Sequence, residues 1–169
     1  MSIYSVDKLI AQARTLAADY RKATGKPLPG VSAEIAEHDA AHYLNLELCP
    51  HPRESGYDAV VKEGDCKGKR IQIKSRVIFD EARSGQRIGQ IKVEQEWDSV
   101  ALVILDEEYE AIEIHEADRE AILEALDGGN SKRSRRGAMT LAKFKVIGHL
   151  LWSRENGPED EVWDNKVSV

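Results

Sequence analysis

The chain has 169 residues and a formal net charge of -6, with 41% hydrophobic and 32% charged residues. This length and composition are typical of one globular domain, and the charge excludes a surface that is basic all over, the usual property of proteins that coat nucleic acid. Two cysteines are too few for a disulfide framework, and no apolar run is long enough to cross a bilayer. The first residues also lack the layout of a signal peptide. A cytoplasmic protein is therefore expected.

The first part of the chain is predicted to form two helices. Apolar residues at helical spacing predict an amphipathic helix over 5–24, with Gly25 after its last turn. A breaker that contains proline and glycine precedes a second helix, for which Ser32 is the predicted N-cap. Glu34 and Glu37 fall in the first turns of this helix, where negative charge suits the helix dipole.

From Gly56 the apolar period changes from helical to alternating, which is typical of strands. Alternating residues on both sides of a polar connection over 62–69 predict a β-hairpin. Three further strands are predicted after it, over 88–93, 97–105 and 109–114. The second of these is the most apolar segment and is expected to be a buried central strand. Two helices are predicted to follow, over 117–126 and 140–150, with a basic loop between them.

The order of these elements indicates an α/β or α+β fold, in which a mixed central β-sheet is flanked by helices. A single domain of residues 1–169 is expected. Its predicted parts are an N-terminal helix over 5–24, a core over about 30–126, a basic loop and helix over 128–152, and a polar tail over 153–169.

The predicted hairpin gathers polar side chains on one face. If it turns near Asp65, then Asp58 lies opposite Gln72, because both are equally far from that centre, and Lys74 shares their face through the period of two. This polar face carries Gly56, Asp58, Arg70, Gln72, Lys74 and Arg76. The opposite face, predicted to meet the core, carries Tyr57, Ala59, Val61, Ile71, Ile73 and Val77.

An acid, an amide oxygen and an ammonium group on one face are what a cation-dependent phosphodiesterase needs. Mg²⁺ prefers oxygen ligands, which Asp58, the side-chain carbonyl of Gln72 and the main-chain carbonyl of Ile73 would supply. Lys74 would orient or help to deprotonate the attacking water and offset charge on the phosphate. Burial and nearby cations would lower the pKa of Lys74 while Asp58 would raise it, and the sequence leaves open which effect is larger.

The segments GYDAV and RIQIKS resemble the core of the PD-(D/E)xK nuclease superfamily, the restriction-endonuclease-like class, in the variant where the second acid is glutamine, as in Mrr-type restriction nucleases. The resemblance covers about 30–105 and implies a Mg²⁺- or Mn²⁺-dependent nuclease with a restriction-endonuclease-like fold. The chain is also similar to an uncharacterised family of small bacterial proteins that share the segments GYDAV, QIK, EWDSV and RGA, which brings no known activity.

The superfamily often adds a glutamate from the preceding helix. Glu34, in the segment SAEIAEHDAAH, is the matching candidate, with Glu37 one turn later as the alternate. The resemblance therefore implies a site made by Glu34, Asp58, Gln72 and Lys74, in which Glu34, Asp58, Gln72 and Ile73 hold the metal. Because glutamine replaces a carboxylate, the site has one negative charge less and is expected to bind the cation more weakly.

The basic residues gain a role under this interpretation, since phosphate contacts supply most non-specific affinity for nucleic acid. The predicted backbone contacts are Lys69, Arg70 and Arg76 beside the metal, and Lys132, Arg133, Arg135 and Arg136 in the basic loop. DNA is the expected substrate, although scattered cations do not distinguish it from RNA. Cutting both strands with one small domain would call for a homodimer, and no membrane is expected as a partner.

Three alternatives remain open at this point. His38 and His42 form an H-D-x-x-H string that puts both imidazoles on one helix face, as zinc peptidases require, with a third ligand from His51 or an acid. The chain could instead be an inactive module with the nuclease fold that binds nucleic acid or a protein partner, which Gln72 and the acidic net charge favour. Finally, Asp58 and Lys74 could form a simple surface pair of little energetic value.

Overall fold

The computed structural model describes residues 5–51, 55–79, 86–128 and 137–159. Within these ranges it contains the helices α1 (Val6–Thr24), α2 (Val31–Tyr43), α3 (Arg119–Asp127) and α4 (Leu141–Ile147). It also contains the strands β1 (Leu46–Leu48), β2 (Ala59–Val61), β3 (Arg70–Val77), β4 (Ser99–Leu105), β5 (Ala111–Asp118), β6 (His149–Ser153) and β7 (Gly157–Pro158). None of these helices is both long enough and apolar enough to cross a membrane.

All seven strands form one sheet in chain order, from β1 to β7. Strands β3 and β4 are parallel, and every other neighbouring pair in this sheet is antiparallel. The first two helices pack on one face of the sheet and the last two pack on the other. The protein therefore has an α/β fold with a mixed sheet flanked by helices, as the order of predicted elements indicated.

Strand β4 runs through the centre of the sheet, and all of its residues are buried, as predicted. Successive side chains point to opposite faces, so β4 contributes to two hydrophobic cores. The first core, under α1 and α2, takes Ala101, Val103 and Leu105. The second core, under α3 and α4, takes Val100, Leu102 and Ile104. A strand covered on both faces explains why this segment is apolar throughout.

Helix α1 matches its prediction, whereas α2 begins earlier than predicted. The side chain of Ser5 caps α1 by accepting a hydrogen bond from the N–H of Lys8 at 3.4 Å, and Gly25 ends the helix. The N-cap of α2 is Gly30, so the prediction of Ser32 as the N-cap is wrong. Gly30 has a φ of 82°, a conformation that favours glycine, and this turn starts the helix before Ser32 is reached.

The hairpin of β2 and β3 has the predicted register. Ala59 pairs with Ile71 and Val60 pairs with Arg70, and both pairs are centred on residue 65. Ala59, Ile71 and Ile73 enter the first core, as predicted for the apolar face. For the paired residues of β2 and β3, the alternating pattern therefore predicted correctly which of them share a face.

Two details of the hairpin faces differ from the prediction. Tyr57 was expected among the residues of the first core, but it packs against the second core, because the chain turns at Gly56 with a φ of 84° before β2 begins. Part of the polar face is also covered by the sheet's second core rather than exposed. Gln72 and Lys74 pair with Val100 and Leu102 of β4, which belong to the second core, and Gln72 is only 5% exposed.

No strand forms over 88–93, so that prediction is wrong. The segment runs irregularly beside residues 137–141, and the N–H of Ile91 donates to the carbonyl of Gly137 at 2.9 Å. Ile88 and Ile91 are both buried in the second core. Their spacing of three would send them to opposite faces of a strand, so irregular backbone is what allows both to enter one core.

The C-terminal part also differs from the prediction. Thr140 caps α4 as predicted, accepting a hydrogen bond from the N–H of Lys143 at 3.1 Å, but the helix ends at Ile147 and β6 follows directly. Gly148 causes this end, because a Cβ there would lie 2.7 Å from the carbonyl oxygen of Glu116 on β5. The boundaries predicted at 150 for this helix and at 153 for a polar tail are therefore wrong, since β6 and β7 occupy this region.

Candidate active site

A cleft of about 420 Å³ opens at the edge of β3, beside the start of β2. Strand β2 pairs with β3 only through Ala59 and Val60, whereas β3 continues to Val77 alongside β4. The cleft is lined by the middle of β3, by Asp58, by the first turns of α2 and by the irregular segment over 89–95. The cleft therefore brings together Asp58, Gln72, Ile73 and Lys74 with both candidate glutamates of α2.

Asp58 marks the point at which the main-chain ladder stops. Its N–H donates to the carbonyl of Ile71 at 2.9 Å, but its carboxylate Oδ2 accepts the N–H of Ile73 at 2.7 Å. The carboxylate thus takes the place of the main-chain carbonyl that would accept this N–H if β2 began earlier in the chain. Burial raises the pKa of Asp58, and it outweighs the opposite effects of the Ile73 N–H, Lys74 and Lys92.

Gln72 presents a buried oxygen without a partner. Its Oε1 accepts no hydrogen bond among the described residues, although the side chain lines the cleft. Leaving such an oxygen unpaired costs on the order of 1–3 kcal/mol, and buried polar atoms in native proteins are nearly always bonded to protein, water or an ion. The carbonyl of Ile73 faces the same edge as its N–H, because both groups of a strand residue point to the same neighbour. These oxygens and the carboxylate of Asp58 fit the ligand preference of Mg²⁺ or Mn²⁺.

Carboxylates alone do not form a metal site here. The part of the chain that the structure describes contains no group of three or more His, Cys, Asp or Glu side chains that could hold a metal ion. A cation at Asp58 would therefore need the neutral oxygens of Gln72 and Ile73 to complete its coordination, together with water.

Lys74 has a lowered pKa. Burial has the largest effect, Lys92 adds repulsion, and the attraction of Asp58 is too weak to compensate. The sequence left the direction of this pKa shift open, and in the structure burial and Lys92 together outweigh Asp58. Because Lys74 is half-buried and forms no ion pair with any described carboxylate, the alternative of an exposed Asp58–Lys74 surface pair is excluded.

Of the two glutamates on α2, Glu37 is the more deeply placed. Glu34 is exposed at the rim, whereas Glu37 is half-buried and its pKa is raised to about 7 by burial and by the charges of Asp58 and Glu34. The resemblance implies Glu34 with Glu37 as the alternate, and both line the cleft. Helical spacing could have indicated that Glu37 is the deeper of the two. Glu37 lies three residues before Ala40, which packs in the first core, so the two share a face of the helix.

The wall opposite α2 was not anticipated from the sequence. It carries Gly89, Lys92 and Gln95, in the segment wrongly predicted to be a strand. This wall packs closely against the start of the hairpin, since a Cβ on Gly56 would lie 3.1 Å from the Cβ of Gln95. Lys92 influences the pKa of both Asp58 and Lys74, which places its charge within electrostatic reach of the site.

The predicted nucleic-acid contacts have different surroundings. Lys69 lies 2.7 Å from a carboxylate oxygen of Glu116 and 2.9 Å from one of Asp118. Arg70 forms ion pairs with Asp98 and Glu96, and it lies four residues from Lys74, about 13 Å along the strand. Arg76 is exposed and has no acidic partner among the described residues. A phosphate-binding role for these cations stays a prediction.

Two further groups of candidate residues lie away from the cleft or outside the described ranges. Lys132, Arg133, Arg135 and Arg136 lie outside the described residues. In the H-D-x-x-H string, Nε2 of His38 lies 3.4 Å from a carboxylate oxygen of Asp7, and the ring of His42 packs against Tyr43. No third zinc ligand joins these histidines within the described ranges, whereas a zinc site needs three or four.

No protein-family model matches this sequence, and a search of curated proteins likewise found no match. The function must therefore be inferred from the chemistry of the cleft.

Proposed function

We propose that the chain is a Mg²⁺- or Mn²⁺-dependent nuclease of the PD-(D/E)xK type, which hydrolyses phosphodiester bonds with DNA as the expected substrate. The observation that carries this proposal is the buried, unpartnered Oε1 of Gln72 beside Asp58 and Lys74 in one cleft. An amide oxygen, a carboxylate and an amine with a lowered pKa match the needs of cation-assisted hydrolysis.

Each side chain has a distinct task in this proposal. Asp58, Gln72 and the Ile73 carbonyl hold the cation, which when bound would lower the pKa of a water molecule and offset negative charge on the phosphate. Lys74, with its lowered pKa, would accept a proton from the attacking water and would then carry a positive charge beside the phosphate.

Glu37 compensates for the glutamine at position 72. With a pKa of about 7, it is partly protonated near neutral pH and gains its charge readily when a cation arrives. Cation binding is then coupled to proton release, so affinity for Mg²⁺ should rise with pH through neutrality. Glu37 is therefore proposed as the acidic contribution of α2, with Glu34 at the rim.

The proposal is tested by incubating supercoiled plasmid and single-stranded DNA with the protein in Mg²⁺ or Mn²⁺. Asp58→Ala and Lys74→Ala should each reduce cleavage by about 10³-fold, because each removes a group needed at the reacting phosphate. The matched controls are Asp65→Ala and Lys62→Ala, which change exposed residues of the hairpin connection. Circular dichroism and thermal melting establish that each variant is folded.

Two results would contradict the proposal. If Asp58→Ala and Lys74→Ala cut DNA as fast as the unaltered chain, the activity comes from another site or a contaminant. If the unaltered chain cuts neither substrate with either metal, the alternative of a binding module without nuclease activity is favoured.

A further inference from the structure

The wall of the cleft opposite α2 has no helix or strand, yet its main chain is fixed by two side chains. The guanidinium of Arg119, the first residue of α3, donates to the carbonyls of Val93 at 2.6 Å, Gln95 at 2.8 Å and Trp97 at 2.9 Å. It also lies over the Trp97 ring, 4.5 Å from the ring centre. One arginine thus replaces the hydrogen bonds that regular secondary structure would supply.

Trp97 fixes the main chain of Lys92 in the same way. Its indole Nε1 donates to the main-chain carbonyl of Lys92 at 2.7 Å, and the side chain is 1% exposed in the second core. The main chain of Lys92 is therefore anchored, while its side chain is exposed and lines the cleft. An ammonium group on a fixed main chain loses less conformational freedom when it binds an anion than one on a mobile loop.

Lys92 has the electrostatic properties of a ligand-binding cation. No described carboxylate forms an ion pair with it, whereas Lys69 and Arg70 are each paired with two. Its neighbours in the cleft are Lys74 and Asp58, and its charge acts on both. A phosphate that reaches Lys74 would therefore meet a second, uncompensated cation on the facing wall.

We propose that Lys92 binds a backbone phosphate of the nucleic acid, and that Arg119 and Trp97 position Lys92 for this contact. The inference rests on the proposed function and identifies the substrate-binding side of the same cleft. Arg119 and Trp97 are positioning residues, since they touch the main chain of the wall and not the substrate.

Binding of a short fluorescent DNA, measured in EDTA so that no cleavage occurs, tests the contact of Lys92. Lys92→Ala should weaken binding by about 5-fold near 0.15 M salt and lower the slope of log affinity against log salt by about one, because one phosphate contact is lost. Lys92→Arg should keep both values, and Lys62→Ala, an exposed lysine of the hairpin connection, is the matched control.

A double-mutant cycle tests the positioning role. Arg119→Lys keeps the charge but loses the fork that binds three carbonyls, so it should weaken binding when Lys92 is present and have little further effect in Lys92→Ala. Trp97→Phe keeps an aromatic ring in the core and removes the indole N–H that donates to the Lys92 carbonyl. It replaces Arg119→Lys in the cycle if that variant fails to fold. Full additivity of both positions with Lys92→Ala would overturn the positioning role.

The outcomes separate this inference from the nuclease proposal. If the chain cleaves DNA but Lys92→Ala binds with unchanged affinity and salt slope, or if Lys62→Ala loses as much, the Lys92 contact is overturned and the nuclease proposal survives. If the chain never cleaves DNA but Lys92→Ala loses the contact, the binding site stands and the nuclease proposal fails. Absence of any DNA binding in EDTA overturns the Lys92 contact, and the cleavage assay with Mg²⁺ or Mn²⁺ then decides the nuclease proposal by itself.

Discussion

Strand β3 carries two clusters of charged residues that behave in opposite ways. At its start, Lys69 and Arg70 form an ion-pair network with Glu96, Asp98, Glu116 and Asp118. Hydrogen bonds from Arg70 lower the pKa of Asp98, and although burial acts against it, the bonds to Glu116 and Asp118 raise the pKa of Lys69. In this network the charged forms are favoured.

In the cleft beside the middle of the same strand, the pKa shifts have the opposite sign. Burial raises the pKa of Asp58 and lowers that of Lys74, so both move toward their neutral forms. The charged residues at the start of the strand form ion pairs with one another, whereas Asp58 and Lys74 in the cleft form no ion pair with a described residue. Groups held in this way are typical of sites that bind a charged ligand.

The largest expected effect comes from making the same substitution in the ion-pair network at the start of the strand and in the cleft at its middle. Lys74→Met should reduce DNA cleavage by about 10³-fold, because it removes the proposed proton acceptor, and it should leave stability unchanged or higher, since a half-buried amine is replaced by an apolar chain. Lys69→Met should leave cleavage within about 3-fold of the unaltered chain, since its charge is already compensated. Initial cleavage rates, normalised to the folded fraction, measure both.

The comparison fails if the two substitutions have equal effects on cleavage. A loss at Lys69→Met as large as that at Lys74→Met would mean that the ion-pair network itself belongs to the active site. Its role would then be more than structural.

The next effect is on stability at the start of the strand. Lys69→Met should lower the free energy of unfolding by about 1 kcal/mol, because it leaves the partly buried carboxylate of Glu116 without its ammonium partner. Urea unfolding at neutral pH measures this change. Lys67→Met, at an exposed position of the hairpin connection, is the matched control and should change stability far less. High salt should reduce the difference between the two variants.

Local patterns were sufficient to predict much of the fold. Alternation placed Asp58, Gln72 and Lys74 together because a strand has a period of two, and the register follows from the apolar face. Helix α1 and strand β4 were likewise predictable from periodicity and from unbroken apolar character. These features depend on residues that are near one another in sequence or on one pairing.

The remaining errors depend on tertiary contacts. The end of α4 is set at Gly148 by the approach of the Glu116 carbonyl, which no local pattern reveals. Glu34 and Glu37 both line the cleft, but their different depths in it depend on how α2 lies on the sheet, which helical spacing alone does not show. Lys92 carries no distinguishing pattern in the sequence, and only the contacts of Arg119 and Trp97 show that its main chain is anchored beside the cleft.

An effect of similar size but opposite sign is expected at the unpartnered oxygen of Gln72. Gln72→Met keeps a similar volume and removes the buried amide, so it should raise the free energy of unfolding by about 1 kcal/mol without metal. Mn²⁺ should raise the melting temperature of the unaltered chain more than that of this variant, because a ligand is lost. Gln12→Met, at an exposed position of α1, is the matched control. Loss of stability at Gln72→Met would show that the amide has a bonding partner.

The smallest effect concerns Glu37 and depends on pH. Its pKa is raised from 4.5 to about 7 in the folded chain, so between these values the folded state binds more protons than the unfolded state. The free energy of unfolding therefore falls as the pH rises from about 5 to 8, by less than about 1 kcal/mol once solvent screening is allowed for. Urea unfolding of the metal-free chain at both pH values measures this fall.

Glu37→Gln removes the titrating group, so it should lessen the fall in stability and make the variant more stable than the unaltered chain at pH 8, but not at pH 5. Glu63→Gln, in the exposed hairpin connection, leaves Glu37 in place and should retain the fall. The ion-pair network cannot produce this trend. Its carboxylate Asp98 has a lowered pKa and therefore gives stability that is lost toward acid, the reverse direction. A metal-free chain whose stability does not fall from pH 5 to 8, or falls equally in Glu37→Gln, would show that Glu37 does not titrate near neutral pH in the folded chain.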